Sequence, residues 1–297
     1  MMLEYGSSDR PSERRVWTGS AHTKFWPGQD RKGQKMGGGR FPVSVVDGFQ
    51  KVSACNVSDA CDRLAIAGAV HGILPLFPCA KIVGHAATLK LTKSGGSVTQ
   101  SPVTGTLEAI ATGGAGAVLV IDCRDNPTVN CFGGIAGATS KWTGLVGCVG
   151  DGVMRDVDEY KGYGLPVYAK GIVQQSLRGR SVCEGYGIPV EIGGVRVEPG
   201  DLVFADDNGV VVVPRARVEE VLQIALAIKA TEDRVVAEIR GGANAVAAHR
   251  KVNYDDLLNA PPMKRPDMLC DDAGGDRGPL RGSKLANHTA STLRNTR

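Results

Sequence analysis

Apolar and polar positions change their spacing several times between residues 41 and 260. Short runs rich in valine, isoleucine and leucine predict buried strands, and segments of small residues with a helical period lie between them. Ser58 or Asp59 is the predicted cap of the first helix. The pattern predicts strands at 81–91, 117–121, 145–150 and 166–169, and helices at 60–64, 107–112 and 135–143. Such alternation is typical of an α/β fold.

The pattern changes after Ile188, where two β-hairpins are predicted in succession. The first joins 190–192 to 195–197 through Gly193-Gly194, and the second joins 202–205 to 210–213 through Asn208-Gly209. Pro214 then begins a long amphipathic helix that reaches about Arg240 and ends at Gly241-Gly242. An α/β part followed by hairpins predicts one mixed domain built in layers.

The two ends of the chain differ from this middle part in composition. Residues 1–40 carry eight basic and four acidic side chains, and residues 261–297 carry seven and four. Residues 41–260 keep 20 basic and 23 acidic side chains, a net charge of −3. We therefore predict a folded unit at 41–260 between two polar extensions. A basic extension can contact nucleic acid or an acidic partner, but a solvated extension is the simpler interpretation, and no direct nucleic-acid site is predicted.

Composition argues against several classes of protein. No run approaches the ~18 apolar residues of a membrane span, and the N-terminus lacks the apolar region of a secretory signal. The eight cysteines form no C-x-x-C pair, and the five histidines form no H-x-H or H-x-x-x-H pattern. A disulfide framework, a zinc site and a His-ligated metal are therefore not predicted. We expect a soluble, cytoplasmic protein with reduced thiols.

Two motifs that look like ligand loops are better explained by backbone structure. The Gly-Gly-Ala-Gly run at 113–116 precedes a predicted strand, whereas a nucleotide-binding glycine loop follows one. The Asp-Asp-Asn-Gly run at 206–209 resembles part of a calcium loop, but it lacks the later glutamate and lies between two strands. Neither run is predicted to bind a ligand.

The strongest candidate site lies between Gly133 and Asp156. Residues 133–137 read Gly-Gly-Ile-Ala-Gly at the start of a predicted helix, where free backbone N–H groups bind anions. Arg155 and Asp156 follow a predicted strand and a Gly-Asp-Gly turn, at the edge where ligands gather in α/β folds. They offer a cation beside a hard oxygen ligand, although a surface ion pair or a helix cap would use the same residues. The sequence favours a site for a small carboxylate and a divalent metal.

Several separate blocks within residues 57–214 resemble the RraA-like family. That family includes the regulator of ribonuclease activity A and the class II pyruvate aldolases that cleave 4-hydroxy-4-methyl-2-oxoglutarate. Residues 150–156, Gly-Asp-Gly-Val-Met-Arg-Asp, are similar to its D-G-x-x-R-D signature. The other similar blocks are 57–60, 84–88, 117–122, 193–201 and 206–210. Together these blocks identify the chain as a member of the family.

The resemblance implies a fold, an assembly and a site. The implied fold is a three-layer ββα sandwich of the swivelling-domain type, in a homo-oligomer (trimer or hexamer) with sites between subunits. The substrate carboxylate would lie on the backbone of Gly133, Gly134, Ile135 and Ala136. Arg155 would bind the substrate as a catalytic residue, and Asp156 would bind a divalent metal, magnesium or manganese. The residue chemistry agrees, since helix-start N–H groups and arginine suit anions and aspartate suits a hard cation.

The chain departs from the family pattern at Gly134. Many members carry an acidic residue there, separated from the Arg-Asp pair by twenty residues (D-x20-R-D), where it can hold the metal's waters. Glycine keeps the backbone N–H but removes that carboxylate, which predicts weaker metal binding or a different substrate. A neighbouring subunit supplies a further acidic group in the aldolases, and the sequence leaves both Glu191 and Glu198 open for that role.

Two functions follow from the resemblance. The first is a metal-dependent lyase for small 2-keto acids, in which the metal and Arg155 stabilise a pyruvate enolate as a C–C bond breaks. Oxaloacetate decarboxylation would give the same enolate. The second is a regulator that inhibits a ribonuclease of RNA degradation by protein–protein binding. One scaffold can host both functions, and the intact Arg155–Asp156 pair favours the lyase.

Overall fold

A computed structural model of the chain describes residues 39–97 and 99–252. The predicted extensions lie outside these residues except for Gly39 and Arg40, and so do residues 253–260 of the predicted folded unit. The helices are α1 Val43–Gln50, α2 Ala54–Arg63, α3 Pro102–Gly113, α4 Gly134–Thr143, α5 Val157–Tyr163, α6 Val218–Arg240 and α7 Ala245–Lys251, with a 3₁₀ turn at Arg215–Arg217. The strands are β1 Ala69–Val70, β2 Leu74–Pro75, β3 Ile82–Lys93, β4 Ala117–Asn130, β5 Gly147–Met154, β6 Val167–Ala169, β7 Gly171–Ile172, β8 Ser181–Tyr186, β9 Val190–Ile192, β10 Val195–Val197, β11 Leu202–Asp206 and β12 Gly209–Val213.

A large mixed sheet organises the fold. Its strand order is β1-β12-β11-β3-β4-β5-β6-β2, with β7 paired to β5 and β8 paired to β3. The strands β3, β4, β5 and β6 are parallel neighbours. The helices α3, α4 and α5 connect them in turn, as parallel pairing requires. The carboxyl ends of these parallel strands therefore lie at one edge of the sheet.

Each face of the sheet has its own cover. Leu119 and Ile121 of β4 pack in a core cluster with α3 and α5 residues, including Ile110. The alternate residues Val118 and Val120 pack against the hairpin of β9 and β10, which forms a separate two-stranded sheet. A third cluster packs α1, α2 and α6 on β11 and β12. The layers are thus helices, large sheet and small sheet, and the expected α/β fold with ββα layering is confirmed.

Several local predictions are confirmed by the backbone. Gly193 and Gly194 both have positive φ, at +51° and +83°, in the two-residue turn between β9 and β10. Glycine reaches this region at the least cost. The amphipathic helix α6 ends at Arg240, directly before Gly241. Within the part of the chain that the structure describes, no helix combines the length and apolar character needed to cross a membrane.

The predicted start of the first helix in the α/β part is wrong. The helix α2 begins at Ala54, so Ser58 and Asp59 lie inside it. Ser53 is its cap, because the Ser53 Oγ accepts from the Asn56 N–H at 3.2 Å while the Asn56 Oδ1 accepts from the Ser53 N–H at 3.1 Å. This reciprocal capping box satisfies two backbone donors, which a serine within the helix does not.

The predicted Gly-Asp-Gly turn before Arg155 is also wrong, because these residues continue β5. The glycines serve close packing instead of a turn. A Cβ atom on Gly150 would lie 3.0 Å from the Cys131 Sγ, and one on Gly152 would lie 3.2 Å from the Asn126 carbonyl oxygen. Both approaches are tighter than ordinary contacts, so glycine lets β4 and its extension lie against β5.

Candidate active site

The segment before α4 pairs with the end of β5, and this pairing brings the predicted site residues together. The Cys131 N–H donates to the Val153 carbonyl at 2.8 Å, and the Arg155 N–H donates to the Phe132 carbonyl at 3.2 Å. These two bonds extend the sheet by one short segment beyond β5. Gly133, the next residue, therefore lies beside Arg155 and Asp156.

The start of α4 faces the Arg155–Asp156 pair. Gly133 caps the helix in an extended conformation, and the first N–H with an acceptor inside the helix is that of Gly137. The N–H groups of Ile135 and Ala136 therefore have no intrahelical acceptor. The Gly134 N–H is held by the Asp156 Oδ2 at 2.7 Å. The Asp156 carboxylate thus occupies one of the free donors at the helix start, a position that favours negative charge.

Asp156 has an unusual backbone. Its φ of +63° and ψ of +37° are left-handed, at the cap position directly before α5. Glycine reaches this region freely, whereas aspartate and asparagine reach it more readily than other residues but still at a cost. Strained backbone of this kind concentrates at functional sites, where the surrounding structure fixes it.

Arg155 keeps most of its hydrogen-bonding capacity open. Its Nε lies 3.3 Å from the Asp156 Oδ2. Its terminal guanidinium nitrogens make no hydrogen bond or ion pair with any residue in 39–97 or 99–252. The Nε is buried and has no hydrogen-bond partner among the described residues, so the whole guanidinium is open to bind a carboxylate or an enolate oxygen.

Glu159 is a further acidic side chain at this point, and the sequence analysis missed it. Its carboxylate occupies the volume above Gly134, where a Cβ would lie only 2.5 Å from the Glu159 Cδ. The Tyr163 hydroxyl donates to the Glu159 Oε2 at 2.9 Å, and this bond raises the pKa of Tyr163. A carboxylate from α5 thus takes the place of the acidic side chain that Gly134 lacks. Its position three residues after Asp156, on the first turn of a helix, is the signal that could have identified it.

A cavity of about 140 Å³ connects these groups, and we call it the Arg155 cavity. The walls toward α3 are apolar, with Val103, Leu107 and Leu177. The cavity is lined by all the site residues predicted from the sequence, Gly133, Gly134, Ile135, Ala136, Arg155 and Asp156, together with Glu159 and Arg178. A small cavity with apolar walls and a few convergent polar groups is the usual form of a ligand site.

Asn130 fixes one side of the Arg155 cavity. It is 1% exposed, and its Nδ2 donates to the Phe132 carbonyl at 3.0 Å. Its Oδ1 accepts from the Leu177 N–H at 2.8 Å, and its own N–H donates to the Gln175 carbonyl at 3.0 Å. One buried amide therefore links the segment before α4 to the turn that carries Arg178. Satisfied buried networks of this kind hold a single geometry.

The thiol in the cavity wall is not a nucleophile. A hydrogen bond with Cys123, together with burial, raises the pKa of Cys131 well above its ordinary value. The thiol therefore stays neutral, and reactive cysteines are thiolates. All seven cysteines within the described part of the chain are free.

A second charged cleft lies at the same sheet edge but on the hairpin face, and we call it the Asp151 cleft. Lys170 contacts Asp151 at 2.7 Å and Asp125 at 2.9 Å. The burial of its ammonium acts to lower the pKa of Lys170, but its hydrogen bonds with the two aspartates raise it. Similar pairing occurs at Glu184, which contacts two residues of the cleft lining, Lys90 at 3.0 Å and Arg124 at 2.8 Å.

The two glutamates left open by the sequence lie outside the Arg155 cavity of their own chain. Glu191 lines the Asp151 cleft, and its N–H donates to the buried Asp122 at 3.4 Å. Glu198 pairs with Arg196 at 2.8 Å. Within residues 39–97 and 99–252, no group of three or more histidine, cysteine or acidic side chains is arranged to hold a metal ion.

A family model described as RraA-like (aldolase/RraA) matches residues 54–212, which include every strand but part of β12 and all of the Arg155 cavity. The chain belongs to the RraA-like family. The resemblance stated from the sequence is thereby confirmed, and the matched region ends before α6.

Three proteins are similar to this RraA-like chain, with identities and coverage as follows. Protein DlpA of Legionella pneumophila is 31% identical over 213 residues, which cover 70% of this chain and 34% of DlpA, so the chain spans about a third of that relative. A Halalkalibacterium halodurans protein, provisionally named 4-hydroxy-4-methyl-2-oxoglutarate aldolase, is 28% identical over 70% of this chain and 94% of its own length. Streptomyces coelicolor RraAS2, described as an unusual member of the RNase ES inhibitor RraA family, superposes with a TM-score of 0.59 at 28% identity. That match covers 65% of this chain and 96% of RraAS2.

Proposed function

We propose that this RraA-like protein is a divalent-metal-dependent lyase acting on small 2-keto acids, of the 4-hydroxy-4-methyl-2-oxoglutarate aldolase or oxaloacetate decarboxylase type. One observation carries the proposal. A strained aspartate, an arginine with open nitrogens and the start of a helix converge on one cavity. The name of the Halalkalibacterium halodurans relative supports this reaction class.

The helix start is the binding position for the carboxylate of the 2-keto acid. The open N–H groups of Ile135 and Ala136 would donate to one carboxylate oxygen, and the helix dipole adds to this attraction. The Gly134 N–H would join them once the Asp156 carboxylate turns away from it. Donation from fixed backbone groups orients the substrate without side-chain ordering.

Arg155 would bind the keto oxygen. When the bond between C3 and C4 breaks, its electron pair remains on C3, and the charge of the resulting pyruvate enolate develops on that oxygen. In an aldol cleavage the C4 hydroxyl loses its proton to a base as C4 becomes the carbonyl of the second product, and in oxaloacetate decarboxylation C4 leaves as carbon dioxide. An arginine fixed by its neighbour and pointed at the developing charge stabilises the transition state more than the substrate. Protonation of C3 then releases pyruvate.

The acidic residues fit a magnesium or manganese ion. Asp156 keeps its Oδ1 free of hydrogen bonds to any described residue, and the Glu159 carboxylate lies against the same glycine. Hard divalent cations take one or two carboxylates and complete their coordination with water and substrate oxygens. Such an ion, when bound, would supply Lewis-acid stabilisation of enolate charge.

The proposed assembly is a homo-oligomer, a trimer or a pair of trimers, with the Arg155 cavity near the contact between subunits. Apolar side chains at the rim support this. Ile135 is 62% exposed and Ile172, beside Arg155 and Asp156, is 61% exposed. Exposed apolar groups around a polar site are typical of surfaces that are covered in an assembly.

The test is pyruvate release from oxaloacetate and from 4-hydroxy-4-methyl-2-oxoglutarate, with magnesium, manganese or EDTA. Asp156→Asn is the informative variant, because asparagine tolerates the left-handed backbone and keeps the side-chain shape. We expect wild-type turnover to require the metal and the variant to lose about 100- to 1,000-fold in kcat/KM. The melting temperature should change by no more than a few degrees.

Asp158→Asn is the matched control. Asp158 lies two residues away on α5, is fully exposed and makes only a weak contact of 3.8 Å with Lys161. Its replacement should leave turnover unchanged. Equal activity in Asp156→Asn and wild type, or full activity in EDTA, would contradict the proposed reaction.

A second candidate function is inhibition of a ribonuclease of RNA degradation by protein–protein binding. The similarity to RraAS2 favours it, and so does the exposed Trp142 on the outer face of α4, which packs edge-on against Tyr163 at 5.3 Å. Under this function Asp156→Asn should inhibit RNA cleavage as well as wild type does, whereas Trp142→Ala should weaken inhibition. An inactive wild type in a purified RNA-cleavage assay would count against it.

A further inference from the structure

Arg178 is a cation without a partner at the Arg155 cavity. Its guanidinium makes no hydrogen bond or ion pair with any described residue, although its backbone N–H donates to the Ser176 Oγ at 3.2 Å. The neighbouring Arg180 differs, because its Nη1 donates to the Ser176 carbonyl at 3.2 Å. Of these two arginines only Arg178 lines the cavity.

Arg178 and the Arg155–Asp156 pair lie toward different ends of the cavity. Arg178 also borders a surface depression over the start of α3, together with Ser94 and Ser101. Arg155 and Asp156 instead border a separate depression beside Ile172 and Gln174. A ligand that fills the cavity would therefore meet one cationic group at each end.

The wall of the cavity between its two ends is uncharged. Val103, Leu107 and Leu177 provide apolar surface. The acidic side chains that line the cavity, Asp156 and Glu159, both lie against Gly134 at the opposite end. No acidic side chain in the described lining therefore neutralises Arg178, whose exposed guanidinium is open to an anionic group of a ligand.

The backbone of the turn that carries the exposed Arg178 is fixed relative to Arg155. Asn130 binds the backbone of Gln175 and Leu177 on one side and the Phe132 carbonyl on the other. The Phe132 carbonyl in turn accepts from the Arg155 N–H. A preorganised distance between two cations selects ligands by the separation of their anionic groups.

We propose that Arg178 is the specificity-determining residue of this cavity and binds the distal carboxylate of a 2-keto dicarboxylic acid. The 2-keto acid end of that substrate lies against Arg155 and Asp156, which makes this assignment dependent on the proposed function. The site then favours 2-keto diacids over 2-keto monoacids of the same length. The guanidinium forms a charge-assisted, bidentate pair with the distal carboxylate and takes no part in bond cleavage.

The test compares two aldol substrates that differ in one group. In 4-hydroxy-2-oxoglutarate C4 carries a carboxylate, and in 4-hydroxy-2-oxopentanoate it carries a methyl group. For Arg178→Ala we expect kcat/KM for the diacid to fall about 10- to 100-fold, mostly through KM. The monoacid should change by less than about twofold, since it never contacts Arg178.

Two further variants separate recognition from structure. Arg178→Lys should recover part of the diacid preference, because lysine keeps the charge but loses the bidentate geometry. Arg240→Ala, which removes an exposed arginine at the end of α6, is the matched control and should leave the preference unchanged. Equal loss for both substrates in Arg178→Ala, or an unchanged diacid preference, would overturn the assignment.

A third measurement distinguishes this failure from failure of the proposed function. Exchange of the pyruvate methyl protons with deuterium reports enolate formation and involves no distal carboxylate. Wild type and Arg178→Ala should exchange at the same rate, and Asp156→Asn should not exchange. Absence of exchange in wild type would overturn the proposed function and this assignment together, whereas normal exchange with no diacid preference would overturn the assignment alone.

Discussion

The Arg155 cavity and the Asp151 cleft contain similar residue types at the same edge of one sheet, yet they differ in how their charges are satisfied. In the Asp151 cleft Lys170 contacts two aspartates, and Glu184 contacts two basic side chains. In the Arg155 cavity Arg155 keeps its terminal nitrogens open. Left-handed backbone occurs in both regions, at Asp156 in the cavity and at Arg124 and Asp125 in the cleft, so it does not separate them. The residue types alone would not separate the two regions.

The difference separates charged side chains that stabilise the fold from charged side chains that are open to bind a ligand. Charges that pair within the chain offset their own desolvation and hold the structure together. Charges left open beside a cavity contribute nothing to stability until a ligand arrives, and such local conflicts are expected at functional sites. The three predictions below exploit this contrast, and the largest effect comes first.

Lys170→Met should destabilise the protein by about 2–4 kcal/mol without affecting turnover. The change leaves the Asp151 carboxylate, whose side chain is only 10% exposed, without its cation at 2.7 Å. Chemical denaturation of the variant measures the loss of unfolding free energy. The pyruvate-release assay below the unfolding transition measures the activity.

A second substitution tests whether the unpaired charge of Asp151 causes the loss of stability. Lys170→Met combined with Asp151→Asn removes the buried charge as well, so the double variant should recover part of the lost free energy. A stable single variant with reduced turnover would reverse the roles assigned to the two regions.

Glu159→Gln should raise the magnesium concentration for half-maximal activity by about 10- to 100-fold, with little change in stability. Glutamine keeps the acceptor for the Tyr163 hydroxyl but removes the charge that lies over Gly134. Losing an outer ligand of a metal has an effect of this size. A magnesium titration of wild type and variant measures it.

A pair of substitutions at residues 134 and 159 tests whether the position of the carboxylate matters. Gly134→Asp alone should impair activity, because its side chain collides with Glu159. Gly134→Asp combined with Glu159→Ala moves the carboxylate from α5 to α4 and should return the metal requirement to within a few-fold of wild type. An unchanged metal requirement in Glu159→Gln would remove Glu159 from the site.

The two ring nitrogens of His85 also differ in whether they have a partner, and the expected effect on stability is the smallest of the three. Its Nε2 lies 3.1 Å from the Gly113 carbonyl, whereas its Nδ1 is buried without a partner among the described residues. Burial lowers the pKa of His85, and the charges of Arg215 and Arg40 lower it further, although the bond to Gly113 acts to raise it. The neutral ring is therefore the folded form.

The sign of the pH effect follows from this lowered pKa. The unfolded chain binds the proton more readily, so the contribution of His85 to stability is fully present above about pH 6.5 and declines as pH falls from there. Between pH 7.5 and 5.5, wild type should lose up to about 1 kcal/mol more than His85→Gln in denaturant titrations. An equal loss in both proteins would show that His85 titrates normally.

Contiguous motifs let the sequence predict which residues lie together, and the roles assigned to those residues stay predictions. Residues 133–136 and the Arg155–Asp156 pair line one cavity, because a helix start and a strand end adjoin in parallel α/β topology. Gly150 and Gly152 were misassigned to a turn, since the sequence does not reveal that β5 needs glycine for close approach to Cys131 and Asn126. A local sequence pattern shows where glycine makes the backbone flexible, but it does not show which distant residue packs against that glycine.

Residues that act across a long sequence separation escaped prediction for a related reason. Asn130 contacts Leu177, 47 positions away, and no periodicity marks either residue. Arg178 looks like any exposed loop arginine until the fold places its turn beside α3. The fold class needed only alternation and turn chemistry, whereas these contacts depend on the completed packing.

The linking role of Asn130 has a consequence for motion. Its single amide group joins the segment before α4, the turn at 175–178 and, through Phe132, the end of β5. These segments should therefore open to solvent as one cooperative unit, with one free energy of opening measured by backbone hydrogen exchange. A molecule bound at Arg155 would then slow exchange at the Leu177 amide, so that the substrate assembles its own recognition turn.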